Sequence, residues 1–185
     1  MFRNLARIIL SLLGWQLLDL PQRPARAVVI AYPHTSNWDA LYSLLGKQAL
    51  RLNVRWVAKD GLFRWPFAGL LRWLGGIPVD RRAPQGFVAQ SAAQFATHPN
   101  FLLLIAPEGT RRLTEGWKSG FYHIAKTAGV PLILTTVDYA RREIGVLAHL
   151  ELSDDPQADI AAIAAIYAGR QGRNPALASP VRWRD

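Results

Sequence analysis

The run Ala27-Val28-Val29-Ile30-Ala31-Tyr32 reads as a buried strand, because six apolar residues follow one another without the alternation of a half-exposed one. It passes directly into Pro33-His34-Thr35-Ser36-Asn37-Trp38-Asp39, and Ala40-Leu41-Tyr42-Ser43-Leu44-Leu45 then reads as the start of a helix. One imidazole and one carboxylate therefore fall at a strand-to-helix turn, where α/β folds usually carry their chemistry.

The rest of the chain repeats that alternation. Residues 54–58, 101–106, 132–137 and 144–152 read as strands, and 101–106 is the strongest candidate for a central parallel one. Helices are expected from about 36 to 50, over 84–97, over 118–128 with Gly129 as a C-terminal stop, and over 157–169 with Pro156 in the first turn. Residues 2–20 have the spacing of an amphipathic helix, with Phe2, Leu5, Ile9, Leu12 and Leu13 on one face and Arg3, Arg7 and Ser11 on another. Its uncharged part is shorter than the roughly 20 residues of a membrane span. It either lies in a bilayer interface or packs on the domain. The expected fold is a single α/β domain, with a mixed, largely parallel sheet flanked by helices and an N-terminal amphipathic helix. Residues 1–24 are the membrane-associating helix and linker, 25–170 the catalytic domain and 171–185 a loose C-terminal tail.

Composition narrows the chemistry. The absence of cysteine excludes disulfides, a thiol nucleophile and a zinc–thiolate site. His34, His98, His123 and His149 are not at metal-ligand spacings, and neither a G-x-S-x-G elbow nor a phosphate-binding glycine loop occurs. The net charge of +9 is concentrated before residue 143, with Lys and Arg set among Trp, Leu and Phe rather than in hydrophilic runs. This favours an anionic membrane surface over nucleic acid. The segment 62–74 interleaves rings and arginines and suits either such an interface or a core.

His34 and Asp39 can meet only if the histidine lies in the turn and the aspartate in the first helical turn, since five residues of one helix would separate them by roughly 140°. A carboxylate on one imidazole nitrogen fixes the tautomer and leaves the other free to accept a proton from a hydroxyl. The same Ser36-Asn37-Trp38-Asp39 stretch also fits a capping box, in which Asp39 serves the helix. Arg81, Arg111 and Lys118 flank Gly- or Pro-rich turns, and Gly109 permits close approach of backbone to a ligand. Glu108 beside them reads either as an anchor for Arg81 or Arg111, or as a binder of a hydroxyl.

Four blocks, His34-Thr-Ser-Asn-Trp-Asp39, Gly76-Ile-Pro-Val-Asp-Arg81, Ala106-Pro-Glu-Gly-Thr-Arg111 and Val130-Pro131, resemble in order and spacing those of the glycerolipid acyltransferases. The resemblance spans roughly residues 27–138. It implies that His34 is the base and Asp39 its orienting partner. It implies that Arg81, Glu108, Gly109, Thr110 and Arg111, with Lys118 beside them, form the acceptor's phosphoglycerol site. It further implies direct transfer from acyl-CoA or acyl-carrier protein to a lysophosphatidic acid-like acceptor, giving phosphatidic acid without a covalent acyl-enzyme, a metal or another cofactor. The expected location is peripheral, on the cytoplasmic face of a bacterial-type inner membrane, with no nucleic-acid partner. Ala106 stands where many members have Phe, and Leu134 where many have a second Pro. Both departures bear on which acceptor is used. The competing readings are an acyltransferase for another lysophospholipid or hydroxylated lipid, and a non-enzymatic membrane-surface protein.

Overall fold

The computed structural model describes residues 2–79 and 84–184. Apolar runs form the strands and the segments between them form helices, as the alternation predicts. In chain order these are α1 (Phe2–Leu12), β1 (Gln16–Leu18), β2 (Arg26–Ala31), α2 (Trp38–Leu50), β3 (Val54–Lys59), α3 (Ala68–Trp73), β4 (Gly76–Val79), α4 (Pro84–Thr97), β5 (Phe101–Ile105), α5 (Gly120–Ala128), β6 (Leu132–Asp138), β7 (Glu143–Leu150) and α6 (Pro156–Tyr167). The sheet has seven strands in the order β1-β7-β6-β2-β5-β3-β4. β6, β2, β5, β3 and β4 are mutually parallel, β7 returns antiparallel to β6, and β1 runs parallel to β7.

Alternate residues of β2 go to opposite faces, as the two-residue period of a strand requires. Val28 and Ile30 join a core with Phe95, Phe121, Ile124 and Ile163, from α4, α5 and α6. Ala27 and Val29 pack with Leu50 and Ile133 below α2. Helices on both faces explain why β2 has no polar side. Two helix ends follow the expected chemistry. Gly129 is left-handed at φ 60 and closes α5, while the Asp155 carboxylate accepts from the amides of Gln157 and Ala158 at the start of α6.

The N-terminal helix is shorter than the sequence suggests. Gly14 sits at φ +74, its N–H reaches Ser11 O, and the Trp15 N–H reaches Leu10 O. That paired closure ends a helix. The apolar Gln16-Leu17-Leu18 stretch, which continues a helical period on paper, instead adds β1 to the sheet beside β7. Gly145 makes this pairing possible, since a Cβ there would lie 2.0 Å from Leu18 O. The helix packs on the domain along one side and leaves apolar residues on the other. Ala6 and Leu10 are buried toward α2, whereas Leu5, Ile8 and Leu12 remain 52%, 55% and 82% exposed.

The segment expected as a loose tail is packed against the domain, which corrects the sequence reading. The Trp117 N–H donates to Arg182 O, the Arg184 N–H donates back to Trp117 O, and Trp183 stacks on Phe121 at 5.8 Å. Its few apolar residues hide the anchoring, because most of the ties are to backbone groups far away in sequence.

Candidate active site

His34 leaves β2 through Pro33 and stands at the C-terminal end of the parallel strands, just before α2. Its Nδ1 lies 3.3 Å from Asp39 Oδ2. That oxygen also accepts from the amides of Thr35 and Ser36, both at 2.8 Å, and Oδ1 accepts from the Tyr139 hydroxyl at 2.9 Å. The two functions weighed for Asp39 are thus compatible. The carboxylate reaches back to amides just ahead of α2, whose N-cap is Asn37, and the same oxygen faces the imidazole. Burial pushes the Asp39 carboxyl up, but the hydrogen bonds with His34, the Ser36 amide and Tyr139, with the His34 charge, outweigh it and hold it below its ordinary value. The aspartate therefore stays ionised at neutral pH, with Nδ1 turned to it and Nε2 left as the ring's other nitrogen.

The turn is braced from behind. Glu108 follows β5 and is 1% exposed. Its Oε2 accepts the His34 backbone N–H at 2.7 Å and its Oε1 accepts the Ser179 N–H at 2.9 Å. Each carboxylate oxygen is thus engaged by a backbone amide in a buried site. Glu108 is an anchor, but its partners are amides rather than Arg111. Desolvation raises the Glu108 carboxyl, and the two amides and His34 only partly offset it. The same burial, with the Glu108 charge next, pushes the Tyr32 phenol up to about 12, so it stays protonated and donates to Ser179 O at 3.0 Å. On the other side, Asn174 donates from its amide to Thr35 Oγ1 and from its side chain to Thr35 O.

The remaining expected site residues lie on the loop after β5. Gly109 is left-handed at φ +67, and a Cβ there would meet the Lys118 side chain at 3.5 Å, so Gly109 and Lys118 are neighbours. Thr110 Oγ1 accepts from the Arg112 amide at 3.3 Å. Arg111 is exposed on this loop. Because β5 and β2 are parallel and adjacent, the loop and His34 share one end of the sheet. Arg81 lies outside the described residues. Among the described residues no group of three or more His, Cys, Asp or Glu could hold a metal ion.

His34 and Asp39 border a cleft of about 580 Å³, open mouth included, that runs between α2 and the sheet along Val29, Leu50, Leu52, Val54 and Leu104. Ser43 and Lys47 of α2 are among its few polar borders, and Lys47 Nζ is held by Val54 O at 3.0 Å and Leu74 O at 3.1 Å.

A family model described as Acyltransferase matches residues 18–137, from β1 to the end of β6. The chain belongs to the acyltransferase family. The match covers all four blocks and both members of the His–Asp pair. The chain is similar to the 1-acyl-sn-glycerol-3-phosphate acyltransferase of Haemophilus influenzae, at 32% identity over 115 residues, 59% of this chain and 46% of the relative. It is similar also to the protein of the same name from Escherichia coli K12, at 33% over 97 residues, 49% of this chain and 39% of the relative. The matched stretches therefore span less than half the length of these relatives. The crystal structure of the 1-acyl-sn-glycerophosphate acyltransferase PlsC from Thermotoga maritima superposes with a TM-score of 0.57, at 15% identity, over 91% of this chain and 76% of that one. That likeness shows a common fold, and the motif blocks agree with a glycerolipid acyltransferase.

Three contributors to this arrangement escape a sequence reading. Tyr139, Asn174 and Ser179 reach the turn from 100, 139 and 71 residues away, measured to Asp39, Thr35 and Glu108. Tyr139 alone carries a signal, since it directly follows a strand in the same parallel block as β2.

Proposed function

We propose that the protein transfers a fatty acyl group from acyl-CoA or acyl-carrier protein to the free hydroxyl of 1-acyl-sn-glycerol-3-phosphate, giving phosphatidic acid. The observation that carries this reading is the His34 imidazole, held through Nδ1 by an ionised, buried carboxylate at the border of an apolar cleft. Nε2 takes the acceptor's hydroxyl proton as the oxygen attacks the thioester carbonyl. The tetrahedral intermediate then collapses, the C–S bond breaks, and the imidazolium returns the proton to the departing thiolate. The apolar lining of the cleft suits contact with an acyl chain. The test is thiol release from palmitoyl-CoA in the presence and absence of lysophosphatidic acid, with phosphatidic acid identified as product. Acceptor-independent release, or release without phosphatidic acid, overturns the reading.

Arg111 is assigned to the acceptor phosphate, for which a guanidinium fork is suited. Arg111→Ala is expected to raise KM for lysophosphatidic acid roughly tenfold or more and to leave a neutral monoacylglycerol acceptor nearly unchanged, the loss being one charge-assisted contact. Equal losses for both acceptors remove the phosphate role.

The same reading places the protein at an anionic bilayer as a peripheral protein. No helix among the described residues is long and apolar enough to cross a membrane. Trp65, Phe67 and Trp73 are instead 92%, 63% and 80% exposed, and Trp38 is 50% exposed. Trp38 follows β2, and Trp65 and Phe67 follow β3, so they border the end of the sheet that carries His34. Leu12 precedes β1, whose first residue pairs with Glu143, opposite the C-terminal end of β6, so it borders that end too. Exposed rings next to arginines suit the headgroup layer. The double substitution Trp65→Ala with Phe67→Ala should weaken cosedimentation with phosphatidylglycerol vesicles by tenfold or more, on the order of one buried aromatic side chain. Undiminished binding would detach this segment from the membrane.

A further inference from the structure

Asp39 is held on both oxygens, and the donors differ in origin. The amides of Thr35 and Ser36, both on Oδ2, come from the catalytic turn itself. The donor to Oδ1 is the hydroxyl of Tyr139, which stands after β6, at 2.9 Å. We propose that Tyr139 is a positioning residue of the proton-transfer pair, fixing the rotation of the Asp39 carboxylate so that Oδ2 stays opposed to the His34 ring. The proposal rests on the reading of His34 as the base.

The argument is one of replaceability. Asp39 is 3% exposed, so solvent does not readily supply a substitute donor to Oδ1. Without the hydroxyl, the carboxylate turns to share the two backbone amides between its oxygens, and Oδ2 is displaced from Nδ1. Tyr139 is itself rigid. Its ring meets Trp15 edge-on at 5.2 Å and Tyr42 edge-on at 5.7 Å, and Trp15 lies 4.5 Å from Tyr42. Its backbone N–H donates to Gln171 O at 2.9 Å. The turn after α1, the body of α2 and the C-terminal segment thus converge on Tyr139, and its hydroxyl meets the Asp39 carboxylate. Burial, followed by the Asp39 charge, pushes the phenol well above its ordinary value, which keeps it a donor.

The experiment is a double-mutant cycle on the full chain, with Tyr139→Phe, Asp39→Asn and the pair, read as thiol release per folded molecule. Phenylalanine keeps the ring between Trp15 and Tyr42 and removes only the hydroxyl. Tyr139→Phe is expected to lower kcat roughly tenfold with KM for both substrates within about twofold, on the scale of one hydrogen bond to a charged group. In the Asp39→Asn background the same change should cost almost nothing, because the hydroxyl acts only through that carboxylate. A purely structural tyrosine would lower the unfolding midpoint and cost the same factor in both backgrounds. Wild-type kcat for Tyr139→Phe, a loss confined to KM, or full additivity in the cycle overturns the proposal. His34→Ala is run alongside. Turnover by that variant removes the base and this role together, whereas an inactive His34→Ala beside a fully active Tyr139→Phe removes the role of Tyr139 alone.

Discussion

His34→Ala is expected to lower acyl transfer by roughly a thousandfold or more, the scale of a lost general base, while the protein remains folded. The imidazole is partly open, with 25% of its side chain accessible, so truncating it creates little cavity. The backbone tie from His34 N–H to Glu108 does not involve the ring and survives the change. Asp39 keeps its donors from Thr35, Ser36 and Tyr139. The measurement is single-turnover thiol release beside a thermal unfolding scan. Wild-type turnover would remove the base from residue 34, and the proposed mechanism with it.

Glu108→Ala is expected to have the largest effect on stability. It removes the acceptor of two amides, those of His34 and Ser179, from a site that is 1% exposed. Two orphaned N–H groups, at roughly 1–3 kcal/mol each, predict a loss of about 2–6 kcal/mol. Glu108→Gln should recover only part of this, because one of its two side-chain atoms becomes a donor facing a donor. Activity should fall with both substitutions, since the clamp sets where the catalytic turn stands relative to β5 and the C-terminal segment. Denaturant unfolding and kcat are the measurements, and an unchanged midpoint for Glu108→Ala would contradict the clamp.

The clamp changes how the third motif block is understood. Within Ala106-Pro-Glu-Gly-Thr-Arg111 the carboxylate points inward to hold the backbone of His34, the proposed base, and Arg111 is exposed. An acid beside the arginine proposed for the acceptor phosphate is no conflict on this arrangement, because Glu108 is buried and bound by two amides. Arg111 is left as the group a phosphate can meet.

The apolar runs by themselves determined the layers. β2, β5 and β6 have no polar face, and a strand without one needs helices on both sides, so the parallel sheet was legible from residues 27–32, 101–106 and 132–137. The spacing of His34 and Asp39 across a turn likewise announced their meeting, because a turn followed by one helical turn is a local geometry. Long-range pairing was not legible. β1 exists only because Gly145 lets the backbone of Leu18 approach, and the C-terminal segment holds the turn through amides and carbonyls that every residue carries. Tyr139 belongs to the same class, a side chain whose role is set by what the fold brings to it. Local sequence specifies which groups are present and which way a short segment turns. Which distant donor finds a buried carboxylate is decided by packing, and only the tertiary structure records it.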